Sequence, residues 1–196
     1  MNYTEKIRTY INVEKECIDE VYNNIDEQTY NQAVEAILNC KGKVVFLGVG
    51  KSGIIGKKLA ATFASTGTTA FFVHATEALH GDLGMIEAKD IVVMISNSGE
   101  TGEVIATITP IRAIGAKIIS ITSNPESTIS KASDINLNLF VEKEADPLDL
   151  APTNSSTATL VVGDAIALTL SHVKKFGKSD FALFHPGGSL GIKSSK

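Results

Sequence analysis

Positive charge is scarce in this sequence: 18 lysines and arginines stand against 22 aspartates and glutamates, for a formal net charge of −4. A nucleic-acid partner or a membrane-surface role would need a basic footprint that is missing here. Long hydrophobic runs are missing too, and none approaches the ~18 residues that span a bilayer. The first ten residues, Met1–Tyr10, are polar and hold no signal-peptide core, so a cytoplasmic location is expected. Cysteine is limited to Cys17 and Cys40. A disulfide between them stays open on sequence; two reduced, buried thiols are the reading adopted. What is present, 196 residues with 43% hydrophobic content, suffices for one sizeable core and therefore one domain.

Periodicity organises that domain. Apolar residues from Ile7 to Ile25 recur at spacings of three, four and seven, and a second set follows at Ala33, Val34, Ile37 and Leu38. Residues 1–40 are therefore expected to be helical. From 41 onward, five strand-like segments are expected, at about Lys43–Leu47, Thr69–Val73, Ile91–Ile95, Lys117–Ile121 and Ile135–Leu139. Helical stretches lie between them, notably Ser52–Ser65, Thr101–Ile114 and Glu126–Ala132, and a long one at Thr157–Phe176 closes the pattern, with Ser155, Ser156 and Thr157 as its caps. The strands are continuously apolar rather than alternating, as in sheets covered on both faces. The pattern predicts an α/β three-layer α-β-α sandwich with a five-stranded, mainly parallel sheet. No repeat or linker marks a second domain.

Two loops carry chemistry. The first strand runs into Gly48-Val49-Gly50-Lys51-Ser52-Gly53, so backbone N–H groups, a cation and a hydroxyl gather at a helix start suited to an anion. The glycine spacing satisfies a dinucleotide fingerprint, but the second strand ends Phe72-Val73-His74 without the acid that would hold a ribose. A nucleotide P-loop fails because its first glycine would fall at Val45. Glycines serving only a tight turn are the plainer alternative. The third strand ends in Ser96-Asn97-Ser98-Gly99-Glu100-Thr101-Gly102-Glu103. Helix capping explains one or two of its hydroxyls, but three beside a glycine suit the oxygens of one phosphate. Both loops end strands that flank the expected switch point of an open sheet.

Ser96-Asn97-Ser98-Gly99-Glu100-Thr101 resembles the phosphate-binding signature of the sugar isomerase (SIS) domain family. Gly50-Lys51-Ser52-Gly53, His80-Gly81-Asp82-Leu83-Gly84-Met85, Leu150-Ala151-Pro152-Thr153, Gly163-Asp164-Ala165 and His185-Pro186-Gly187-Gly188 extend the likeness over nearly the whole chain, to the arabinose-5-phosphate isomerase subfamily. The resemblance implies a flavodoxin-like single domain over 1–196 and a sugar-phosphate aldose–ketose isomerase that passes through an enediolate without a cofactor. It also implies a homotetramer or dimer with active sites at subunit contacts. Ser52, Ser96, Ser98 and Thr101 would clamp the phosphate, with Gly50, Asn97, Gly99 and His80 also in substrate contact. Catalytic roles fall on Lys51, Glu103, Glu144 and His185, and sequence does not say which glutamate is the base.

Each of these residues has an ordinary alternative. Glu103 lies in a first helical turn, where acids are common, and Glu144 in an alternating charged run that reads as a solvated edge. With His74 or His185, His80 is a weak signal for a divalent metal; no required metal is expected, and an incidental or inhibitory one is the alternative. Many family members carry a paired CBS module after His-Pro-Gly-Gly; with the sequence ending at Lys196, regulation through it is expected to be absent. The loop Asp146-Pro147-Leu148-Asp149 places acids where the family has smaller or neutral residues, near Glu144. A non-catalytic sugar-phosphate or sugar-nucleotide sensor on the same fold is the competing function; retention of the acid–base set argues against it.

Overall fold

The computed structural model describes residues 2–187. Two helices open the chain, α1 (Tyr3–Asn23) and α2 (Glu27–Leu38). Asn2 and Asp26 cap them, accepting from Glu5 N at 3.2 Å and Thr29 N at 2.6 Å. Five strands follow: β1 (Val44–Gly48), β2 (Ala70–His74), β3 (Ile91–Ile95), β4 (Lys117–Thr122) and β5 (Ile135–Asn138). They form one sheet in the order β2-β1-β3-β4-β5, and every neighbouring pair is parallel. Intervening and closing helices are α3 (Gly50–Ser65), α4 (Ala75–Ala78), α5 (Gly102–Ile114), α6 (Thr128–Ala132), α7 (Asn154–Val173) and α8 (Lys178–Phe184).

The continuous apolar strands have a direct cause. Side chains alternate across a strand, so Val44 and Phe46 of β1 enter the core beneath α1, α2, α3 and α7, while Val45 and Leu47 enter a second core beneath α4, α5 and α6. β3 repeats this, with Ile91, Val93 and Ile95 on one face and Val92 and Met94 on the other. Burying each such side chain contributes about 1.5–3 kcal/mol. Phe46 meets Phe63 of α3 edge to face, with centroids 5.0 Å apart.

Strand positions agree with the sequence reading to within a residue or two. The short helix α4 falls in the helical-looking segment around Glu77, whereas the 3-10 turn Asp82–Met85 and helix α8 have no counterpart in the sequence pattern. Helix α7 starts at Asn154 rather than Thr157, because the residues read as hydroxyl caps lie inside its first turn. By length and composition α7 could cross a membrane. It holds no long uninterrupted apolar run, since Asp164 and several hydroxyls break its sequence. Here α7 is a core helix, with Ala158, Val162, Ile166, Ala167 and Leu170 buried. It lies so close to α3 that a Cβ on Gly163 would come within 2.5 Å of the Leu59 methyls. The cysteines are free; Cys17 is buried and Cys40 only half-buried. Burial, reinforced by Glu20, Glu144 and Glu14, pushes the Cys17 thiol up to about 11.

Candidate active site

The observed strand order reverses between β1 and β3, and open sheets of this kind bind ligands at the carboxyl ends of such strands. Both chemistry-bearing loops lie there. At the first, Gly50 takes φ +55, a left-handed conformation that opens α3 directly from β1. The N-cap residue Val49 makes no side-chain cap, and neither does Thr101 at the start of α5. Two helix N-termini with amide donors unclaimed by a cap side chain therefore flank one crevice, where the helix dipoles favour negative charge.

The loop between β3 and α5 is braced from beneath. Ser96 is buried, and its hydroxyl shares a 2.8 Å hydrogen bond with Thr101 Oγ1 and accepts from Gly99 N at 3.1 Å. Ser98 Oγ accepts from Glu100 N at 3.1 Å. Asn97 receives Ser123 twice, the hydroxyl at Oδ1 (2.6 Å) and the amide at its carbonyl (2.8 Å). Gly99, at φ +68, lies against the buried Ser127, and a Cβ there would collide with Ser127 Oγ. Thr128 N donates to Glu100 Oε1 at 2.7 Å, which holds the Glu100 carboxyl below the usual carboxylate range. Ser127, Ser130, Thr122 and Asn136 continue the support as a chain of hydrogen-bonded side chains.

The opposite wall is the segment from Glu142 to Ser155. Together the two walls enclose an open cavity of about 400 Å³, lined by Ser52, Asn97, Ser98 and Thr101 on one side and by Glu142, Lys143, Glu144, Asp149 and Ser155 on the other. Carboxylates organise this second wall. Glu144 accepts at Oε2 from Thr153 N (2.8 Å), Thr153 Oγ1 (3.2 Å) and Ser155 N (3.1 Å), and at Oε1 from Ser155 Oγ. Asp149 Oδ1 accepts from Glu144 N at 2.6 Å. Asp146 Oδ2 accepts from Ala151 N and Leu150 N, which holds its carboxyl low.

Of the sequence candidates, Ser52, Asn97, Ser98, Thr101 and Glu144 thus meet at one cavity. Ser96 and Gly99 sit beneath it as supports. Gly50 and Lys51 are exposed in the first turn of α3, and Glu103 is exposed in the first turn of α5. His80 is exposed just after α4, beyond the carboxyl end of β2. His185 stands elsewhere. Ser155 lies in the first turn of α7, whose 20 residues run about 30 Å, and His185 follows α8 at the other end. Phe184 stacks on Phe176, and Phe176 covers Gly67, beyond the far end of α3. The His185 ring stacks on Phe181 at 3.8 Å, with Nδ1 2.8 Å from the Phe181 carbonyl oxygen. Gly188 lies outside the described residues. Among the described residues no three His, Cys, Asp or Glu side chains converge on a metal position.

Sequence reasoning did not assign Glu142, Lys143 or Ser155 to the cavity. The available signal was the crowding of acids around Pro147 and Pro152.

A family model described as SIS domain matches residues 37–169. The chain belongs to the SIS domain family. This SIS domain is 53% identical over 181 residues to the arabinose 5-phosphate isomerase KdsD of Escherichia coli K12, covering 92% of the chain and 55% of that relative. The corresponding Yersinia pestis protein is 51% identical over 193 residues, covering 98% of the chain and 58% of the relative. The chain therefore spans about half the length of the curated relatives it matches. A solved structure of an E. coli CFT073 protein in complex with arabinose 5-phosphate superposes with a TM-score of 0.92 at 49% identity, covering 95% of this chain and 100% of that one.

Proposed function

We propose that this SIS domain is an aldose–ketose isomerase that interconverts D-ribulose 5-phosphate and D-arabinose 5-phosphate. The observation that carries the reading is the cavity itself. One wall offers hydroxyls and two helix N-termini to a phosphate, and the other presents carboxylates across a gap suited to a short sugar. The likeness to a structure in complex with arabinose 5-phosphate supports the same substrate class. A base removes a proton from C1 of the ketose and a proton returns at C2. Between these steps the electron pair resides in an enediolate, so carbon oxidation states exchange within one molecule and no redox cofactor is consumed. Ser52, Ser98 and Thr101 hold the phosphate, supported by Asn97 and the buried Ser96 and Gly99. Lys51, in the same helical turn as Ser52, offsets charge on the phosphate or the enediolate. One of the glutamates Glu103 and Glu144 carries the proton, and His185, in the closing segment, provides acid–base chemistry at the oxygens.

Because His185 is remote from its own chain's cavity, it serves the cavity of a second copy in a dimer or tetramer. A cytoplasmic location, where sugar phosphates are held, completes the proposal. Purified protein incubated with ribulose 5-phosphate is expected to yield arabinose 5-phosphate by NMR. Absence of any aldose product across pentose and hexose phosphates would overturn the enzyme reading. A fully active monomer in sedimentation would overturn the shared site.

A further inference from the structure

We infer that Glu144 is a positioning residue: its carboxylate fastens the 145–152 segment to the start of α7 and so sets the cavity wall opposite the phosphate loop, without itself moving the proton. The inference rests on the isomerase reading for the proton and on geometry for the rest. An ionised carboxylate has about four acceptor sites, and Glu144 receives four donors, two from Thr153 and two from Ser155. Those donors include the N-cap and N2 amides of α7, which the N-cap side chain leaves uncapped. Thr153 Oγ1 does not cap the helix because it accepts from Ala145 N at 2.8 Å while donating to Glu144. Glu144 therefore performs the capping from nine residues upstream and closes the intervening loop as it does so.

The surrounding bonds reinforce that anchoring. Glu144's own amide is held by Asp149, Asn154 Nδ2 donates to the Lys143 carbonyl at 3.0 Å, and Thr157 Oγ1 donates to Glu14 of α1 at 2.6 Å. Three of the donors converge on Oε2 and one on Oε1, and a proton taken from substrate would neutralise the carboxylate that all four bind, weakening the bonds that fix the wall to which it belongs. Glu103, the other glutamate of the pair, stands exposed in the first turn of α5 without a place in this web.

The test compares Glu144→Gln and Glu144→Asp with the unaltered protein in kcat, KM, the pH profile of kcat/KM and the Kd for inorganic phosphate. Positioning predicts for the Gln variant a kcat within about tenfold of the parent, a KM raised about tenfold and an acidic limb in its original place; removing a general base costs about 10²–10⁴-fold. Phosphate, which needs only the opposite wall, is expected to bind within about twofold of the parent. A kcat reduced a hundredfold or more, loss of the acidic limb, or an unchanged KM would each overturn the inference. If the Gln variant does not fold, the Asp variant decides by the same criteria, since it keeps the charge but reaches fewer of the four donors. If the unaltered protein turns over no sugar phosphate, the isomerase reading fails separately. Weaker arabinose 5-phosphate binding with unchanged phosphate binding then still supports the wall role, and equal binding of both overturns it.

Discussion

The two walls of the cavity are built on opposite plans. The phosphate-loop wall uses hydroxyls, a left-handed glycine and uncapped amides, and its bracing residues sit in the next strand–helix connection, 122–130. The 142–155 wall has little secondary structure of its own and is folded by three acids, Glu144, Asp146 and Asp149, that accept from backbone amides. The first wall leaves donors open for an anion, whereas the second turns its charge inward on itself. Negative side chains opposite the proposed phosphate loop are tolerable because backbone N–H groups already stabilise much of that charge.

The largest effect is expected at Glu103, the base that remains if Glu144 only positions the wall. Glu103→Gln is expected to lower kcat at least about a hundredfold in the isomerase assay, with little change in phosphate affinity. Next comes the glycine of the first wall. Gly99→Ala meets the rigid Ser127 and a left-handed backbone together, a cost of about 3 kcal/mol. Calorimetry should show Tm lower by roughly 6–12 °C, together with weaker phosphate binding. A Tm within about 2 °C of the parent, set against ~3 kcal/mol, would mean that the loop adapts where the geometry says it cannot.

Smaller effects belong to the second wall. Asp149 holds φ +54, so Asp149→Val should destabilise by about 1–2 kcal/mol, while Asp149→Asn, which tolerates that backbone and keeps the acceptor for Glu144 N, should stay within about 0.5 kcal/mol. Chemical denaturation distinguishes the two. Acid should loosen both walls through their low carboxyls. Asp146 is held low chiefly by Ala151 N–H and Glu100 by Thr128 N–H. Such groups contribute stability that is fully present above the ordinary carboxylate value of about 4 and is lost as pH falls through the lowered one. The amide NMR signals of Ala151, Leu150 and Thr128 should accordingly hold steady above about pH 5 and move only below about pH 4.

The first wall was legible because its parts are contiguous. Apolar runs marked β1 and β3, and Gly50, Ser52, Ser98, Gly99 and Thr101 followed each run directly. Of the second only Glu144 and the Leu150–Thr153 stretch stood out, and by resemblance rather than by pattern, because its bonds join residues four to eleven apart in a loop without periodicity. Glu142-Lys143-Glu144 looks like a solvated edge, and Ser155 looks like a cap, until the fold shows that Glu144 does the capping and Ser155 is one of its donors. Ser96 is the converse case: a hydroxyl that the resemblance puts in the binding set lies buried and hydrogen-bonded within the loop. For His185 the sequence indicated a closing segment, but only the 20-residue length of α7 reveals how far that segment stands from its own cavity.

That distance has a consequence for genetics. If a cavity borrows its histidine from another chain, two inactive proteins can cure each other. A subunit lacking His185 keeps an intact cavity, and one lacking Ser98 still has a histidine to lend. Mixed in equal amounts and reassembled as dimers, they would restore about a quarter of the sites, whereas a protein that completed its own site would stay dead in any mixture.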